Sequence, residues 1–183
     1  METLAAQAEA VEGYIRGKDE NRPFLALKAF DEHASLSIAV LSEGISLAPS
    51  ADGREAIVEI LVRDFARDYE NVRTLCLSAP PGAGDVEFAC PWLVGMSSKN
   101  DGTVRVGCGH YLWGFASQAP RCVVRFKITI HVMTVLAREH LPVVTAWLFS
   151  LPYPWCSPLN AVETAPALRE LDAVRKWIQR QIA

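Results

Sequence analysis

The 183-residue sequence has no apolar run long enough for a membrane span: its longest, Leu141 to Leu151, contains Pro142 and is about half the required length. It has no surplus of positive charge. Eighteen Lys and Arg face 21 Asp and Glu, for a net charge of −3, so no basic stripe is available to neutralise phosphates and no nucleic-acid partner is expected. The start, Met1 to Ala5, is not the basic and then apolar opening of a secretory leader, and the cytoplasm is the expected compartment. The cysteines, Cys76, Cys90, Cys108, Cys122 and Cys156, are odd in number and without C-x-x-C spacing; they read as reduced, small core residues. There is no H-E-x-x-H, no nucleophile elbow, and no lysine in the glycine-rich stretch Ala79 to Gly84 that would make it a phosphate loop.

What is present is the composition of one globular domain with an appended segment: 50% hydrophobic and 21% charged. Leu4, Ala8, Val11 and Ile15 recur at helical spacing, predicting an amphipathic helix over 2–17 that Gly17 ends. Pro23 suits the first turn of a short second helix through Phe24, Leu27 and Phe30. Residues 34–41 alternate as a strand. Asp52 to Glu55 has capping-box spacing ahead of a third helix carrying Ile57, Ile60, Leu61 and Phe65 to about Tyr69.

From Asn71 the period switches to alternation, predicting strands over 72–78, 86–97, 103–117 and 121–137. Helices first and long strands afterwards predict an α+β fold in which the helices pack on a curved antiparallel sheet. An Asp101-Gly102 hairpin turn pairs Trp92 with Tyr111, Cys90 with Trp113 and Phe88 with Phe115. A turn between Ala119 and Pro120 sets Trp113 opposite Phe126, Tyr111 opposite Ile128, Gly109 opposite Ile130, His110 opposite Thr129 and Cys108 opposite His131. One face is then apolar and aromatic, the other mixed, and the apolar face turns toward the helices. A one-residue slip would exchange the faces. Beyond residue 137 a short apolar helix over 142–150, a proline-interrupted loop and a last helix over 165–182 form a C-terminal extension. Its stripe Leu168, Leu171, Val174, Ile178 and Ile182 must be covered by the domain or by a second subunit, and a homodimer is expected.

Two N-terminal helices followed by Phe30 to Ile38, then Gly53 to Leu61, then Val104 to Phe115 with Tyr111 and Trp113, resemble nuclear transport factor 2-like proteins, a superfamily that includes SnoaL-like polyketide cyclases. The resemblance spans roughly 2–137 and leaves 138–183 as an extension. It implies a cone-shaped half-barrel with a pocket between helices and concave sheet, serving binding proteins, cyclases, isomerases, dehydratases and non-catalytic subunits alike. Fold alone does not choose among these.

Trp92, Tyr111 and Trp113 are pocket-lining candidates because the polar tip of each, once buried, needs a partner, and Phe126 joins them on the same apolar face. Gly107 and Gly109 beside them leave open volume or room for a helix. Asp31 with His33 is a candidate acid–base pair, weighed against Asp31 capping a turn beside a solvated His33. Tyr14 and Tyr69 on the helices are candidate hydrogen-bond donors to a ligand oxygen. Cys108, His110 and His131 are the weak metal alternative, against an exposed or subunit-facing sheet surface. Isomerase-like sites of this superfamily pair a helix tyrosine with carboxylic acids on the sheet, and the inner face here offers none. No cofactor is expected. The reading is a pocket for a small apolar or aromatic molecule, with Tyr/His acid–base catalysis or a structural role as alternatives.

Overall fold

The computed structural model describes residues 5–182. Helix α1 (Ala6–Asp19) is followed by α2 (Pro23–Ala29), β1 (Phe30–Val40) and the short β2 (Ser50–Asp52). Helix α3 (Arg54–Val58) continues through a π-helical stretch, Glu59–Asp64, into α4 (Phe65–Asp68). Four long strands come next: β3 (Tyr69–Cys76), β4 (Glu87–Ser98), β5 (Val104–Phe115) and β6 (Val123–Leu136). The C-terminal segment holds α5 (Leu141–Ser150), α6 (Pro158–Glu163) and α7 (Asp172–Gln179). The expected start of the first helix, residues 2–4, lies outside the described residues.

The fold is α+β, built on one sheet of order β2-β1-β6-β5-β4-β3. The sheet is mixed rather than wholly antiparallel, since β1 runs parallel to β6. The chain reaches β1 from the helical layer, not from a hairpin, so nothing obliges that strand to reverse its neighbour. The capping box is also absent. Asp52 is held in β2 opposite Ser35, and Gly53, at φ +86°, makes the turn into α3.

Register decides which rings meet. Between β5 and β6 the expected pairs Trp113–Phe126, Tyr111–Ile128, Gly109–Ile130 and His110–Thr129 all form. A bulge between Cys108 and Gly109 then inserts one residue on β6, and Cys108 faces Val132 instead of His131. Between β4 and β5 the register is two residues from the expected one: Trp92 pairs with Gly109, Cys90 with Tyr111 and Phe88 with Trp113. The connection is a four-residue loop closed by Ser98 N–H to Thr103 O, not a two-residue turn at Asp101-Gly102. A slip of two preserves the side-chain faces.

Both faces of the sheet are covered. The inner core gathers Val11, Tyr14 and Ile15 of α1, Ile57 to Phe65 of α3–α4, and Trp92, Tyr111, Trp113 and Phe126 of the sheet. The outer core joins Leu75, Leu93, Val104, Val106 and Cys108 to Val144, Trp147 and Leu148 of α5 and to Leu171, Val174 and Ile178 of the last helical segment. Gly95 is a glycine because α5 lies against it; an added Cβ would meet a Leu148 methyl at 2.1 Å. The stripe from Leu171 through Val174 to Ile178 is thus covered by the chain's own sheet. Helix α7 is shorter than expected, since Pro166 interrupts the 165–171 stretch, and Ile182 stays 42% exposed.

A strap links the layers. Trp155 bridges Cys76 at the free edge of β3, with Cys76 N–H donating to Pro154 O at 2.7 Å and Cys156 N–H to Cys76 O at 3.0 Å. The Trp155 indole N–H donates to Glu12 of α1 at 2.8 Å. No described helix is long and apolar enough to cross a membrane.

Candidate functional site

The deep end of the cone is filled with rings. Trp113, fully buried, stacks on Phe126 with centroids 3.8 Å apart and planes at 16°. Trp92 stacks on Tyr111 at 5.3 Å. From α1, Tyr14 sets its edge against Phe126 at 5.1 Å, Trp113 at 5.5 Å and Phe30 at 5.8 Å. Edge-to-face and offset arrangements are the favourable ones for aromatic quadrupoles. The glycines beneath leave no open volume. Gly109 lets the Trp92 ring lie across β5, where an added Cβ would come 2.8 Å from that ring and 1.9 Å from the Thr129 carbonyl oxygen. Gly107 makes room for the Met133 thioether in the same way.

What is left is a cavity of about 50 Å³ toward the open end. Trp92, Tyr111 and Tyr14 line it with Val94, Met96, Ile128, Ile130 and Met133, and Ile45 and Leu47 of the β1–β2 loop cover its mouth. That loop is tied down: Met133 N–H donates to Ser42 Oγ at 2.9 Å and Arg105 Nε to Gly44 O at 3.0 Å. Sites for drug-sized ligands run to roughly 300–1,000 Å³, so this one admits a molecule of a few heavy atoms.

Its polar features are few and consistent. The Trp92 indole N–H is buried with no hydrogen-bond partner, as is that of Trp113 deeper in. Such an orphan donor costs about 1–3 kcal/mol. Burial pushes the Tyr14 and Tyr111 phenols far above the usual phenol range, so both remain protonated donors at any physiological pH. No imidazole and no carboxylate is among the lining side chains.

At one wall lies a group that periodicity does not reveal. Lys18 and Asp19, at the end of α1, form a buried ion pair at 2.9 Å with side chains 6% and 4% exposed. Lys18 Nζ donates to Thr74 Oγ1 at 2.7 Å and lies 4.9 Å from the centre of the Phe65 ring. Asp19 also accepts from the Thr74 N–H and hydroxyl, both at 2.7 Å, and from the Tyr153 hydroxyl of the strap at 3.1 Å. Lys18 and Phe65 border a second cleft of about 180 Å³, lined by polar groups including Glu70, Asn71 and Lys99. Thr74, Tyr153 and Phe65, all distant in the chain, enclose this pair.

The other sequence candidates sit elsewhere. Asp31 accepts from the His33 N–H at 2.9 Å within β1, His33 is exposed, and neither lines the cavity. Tyr69 lies tilted against Phe65, with ring centres 4.9 Å apart and planes at 42°, and borders the polar clefts. Trp113 and Phe126 are packed beneath the cavity rather than on its wall. On the outer face His110 and His131 meet at 3.2 Å. Cys108 is buried in the outer core, opposite Val132. No three metal-ligating side chains converge among the described residues.

No protein-family model and no curated protein matches the sequence. Solved structures do match in shape. A hexachlorocyclohexane dehydrochlorinase (LinA) type 2 superposes with a TM-score of 0.59 at 13% identity over 72% of this chain and 87% of its own. A Δ5-3-ketosteroid isomerase from Mycobacterium sp. gives 0.54 at 13% identity, over 72% and 99%. An NTF2-like protein of unknown function from Exiguobacterium sp. 255-15 gives 0.50 at 13% identity, over 66% and 97%. The fold is nuclear transport factor 2-like. At these identities the likeness concerns the backbone alone, and the side chains of this NTF2-like cone must speak for its chemistry.

Proposed function

We propose that this NTF2-like chain binds a compact, mostly apolar small molecule that carries one hydrogen-bond acceptor, and does so without turning it over. The observation that carries this reading is the buried, unpartnered indole N–H of Trp92, a residue that lines the cavity together with two protonated phenols. The indole N–H is donor-only, the two phenols can donate, and the one charged group on the lining, Lys18, is a cation already paired with Asp19, so the wall favours a neutral carbonyl, ether or similar oxygen. Proton transfer needs a base within reach of the substrate. The cavity holds none: the nearest carboxylate, Asp19, is already taken up by Lys18, Thr74 and Tyr153. Enzymes such as the dehydrochlorinase and the isomerase use the same fold, but the lining here supports binding over catalysis.

The test compares cyclopentanone with methylcyclopentane, equal in heavy atoms and differing in the acceptor, by calorimetric titration of the wild type and of Tyr111→Phe. The ketone should bind more tightly than the hydrocarbon, with part of that advantage lost in the variant. Equal affinity for both probes, or no binding of either, sinks the reading.

A further inference from the structure

We propose that His110 and His131 form a proton-operated latch that holds the C-terminal helix α7 on the outer face of the sheet and releases it in mild acid. The two imidazoles meet at 3.2 Å, His110 Nδ1 to His131 Nε2, and the other nitrogen of His110 lies 3.2 Å from Gln181 Oε1. Trp177 of α7 covers both rings, at 5.0 Å from His110 and 5.5 Å from His131.

The protons of this chain can be assigned by elimination. Gln181 donates its amide Nε2 to the Trp177 carbonyl at 3.2 Å, which turns its oxygen toward His110. An amide oxygen only accepts, so His110 Nε2 carries a hydrogen. Neutral His110 then has a bare Nδ1, which accepts from the Nε2–H of His131. A proton added to His131 at its other nitrogen leaves this arrangement intact. A second proton must go to His110 Nδ1, where it faces the N–H of His131 across 3.2 Å. The bond is then lost, and two cations lie beneath the Trp177 ring.

No carboxylate nearby offsets that charge. On α7, Asp172, Lys176 and Arg180 are exposed, and Arg175 is engaged by the carbonyls of Ala165 and Pro166. The preceding turn presents the Glu170 backbone carbonyl to Thr134. On β6, Lys127 is exposed; on β5, Cys108 is a neutral thiol that burial pushes up to about 12. The facing positions of β4, Ala89, Pro91 and Leu93, carry no charge. No carboxylate forms an ion pair with either imidazole among the described residues. Desolvation, then the charge of His110, holds His131 below the usual imidazole range. A lowered folded-state value means the released form binds protons more readily, so docking is complete above about pH 6.5 and weakens as pH falls below it.

Hydrogen exchange of backbone amides in the full chain, corrected for the intrinsic pH dependence, tests the latch. Between pH 7.5 and 5.5 the opening of residues 172–179 should rise about tenfold, the linkage expected for one proton of ordinary pKa taken up only on release. Helix α1 should keep its protection. In the double variant His110→Gln/His131→Gln, which retains amide donors and cannot be protonated at either position, the rise should vanish. A wild-type α7 insensitive to pH, an equal rise in the variant, or simultaneous loss of protection in α1 overturns the proposal. If the double variant does not fold, the wild-type contrast between α7 and α1 alone decides it.

Discussion

Replacing Asp19 by alanine leaves the Lys18 ammonium buried without a counter-charge, facing the Thr74 hydroxyl and the Phe65 ring. The side chains of this pair are 6% and 4% exposed, and the carboxylate also accepts from the Thr74 N–H and the Tyr153 hydroxyl. The substitution therefore strands one charge and three neutral donors together, the Thr74 N–H and hydroxyl and the Tyr153 hydroxyl. Breaking a buried pair from one side costs about 3–5 kcal/mol, and for a domain of this size each kcal/mol lowers Tm by roughly 2–4 °C. Asp19→Ala should thus melt roughly 6–20 °C below the wild type, with a matching fall in the urea midpoint at unchanged m-value. A double-mutant cycle with Thr74→Val should show coupling of about 0.5–3 kcal/mol, since the two residues share one hydrogen-bond network. Raising the salt concentration should change little, because a buried pair is poorly screened. A loss under about 1 kcal/mol, the range of surface pairs, would refute the burial of this cluster.

Four further outcomes follow from the same geometry. Leu148→Ala empties the contact over Gly95 and should cost about 2–5 kcal/mol in urea unfolding. Gly109→Ala forces a methyl against the Thr129 carbonyl and the Trp92 ring, and should fold poorly while Gly84→Ala, with open space around it, expresses normally despite its positive φ. Of the four tyrosines, Tyr14, Tyr111 and Tyr153 have phenols raised by burial; ultraviolet titration at alkaline pH should show them ionising only as the fold is lost. Because their folded values lie above the unfolded value near 10, their contribution to stability is complete below that pH and is lost as pH rises past it. Of the five cysteines only Cys122 is not buried, so a native-state thiol assay should count about one fast thiol and a denatured one five.

Much of this architecture is legible in the residues. Alternation in Val104 to Phe115 and Val123 to Leu136 carries parity, and parity survives a two-residue error, which is why Trp92, Tyr111 and Trp113 still face the helices although the Asp101-Gly102 turn is longer than its dipeptide suggests. The filling of the cone is not legible. A glycine in a strand announces close approach but not by what, and here the occupants of Gly107 and Gly109 are Met133 and Trp92 from neighbouring strands. Lys18–Asp19 is invisible for a related reason: its burial depends on Thr74 and Tyr153, 56 and 134 residues away from their partners. The outer layer was open to two readings, a second subunit or the chain itself, because a helical stripe states that it must be covered and not by whom.

The central claim is that the Trp92 indole N–H waits in the cone for an acceptor. Nitrogen–proton correlation spectra resolve the five indole signals, and Trp92→Phe identifies the one that matters. On titration with cyclopentanone that signal should move downfield as it gains a hydrogen bond, while those of Trp147 and Trp155, already bonded to Ala161 and Glu12, stay in place. A Trp92 signal that stays still while the ketone demonstrably binds, or that moves equally with methylcyclopentane, would contradict the account.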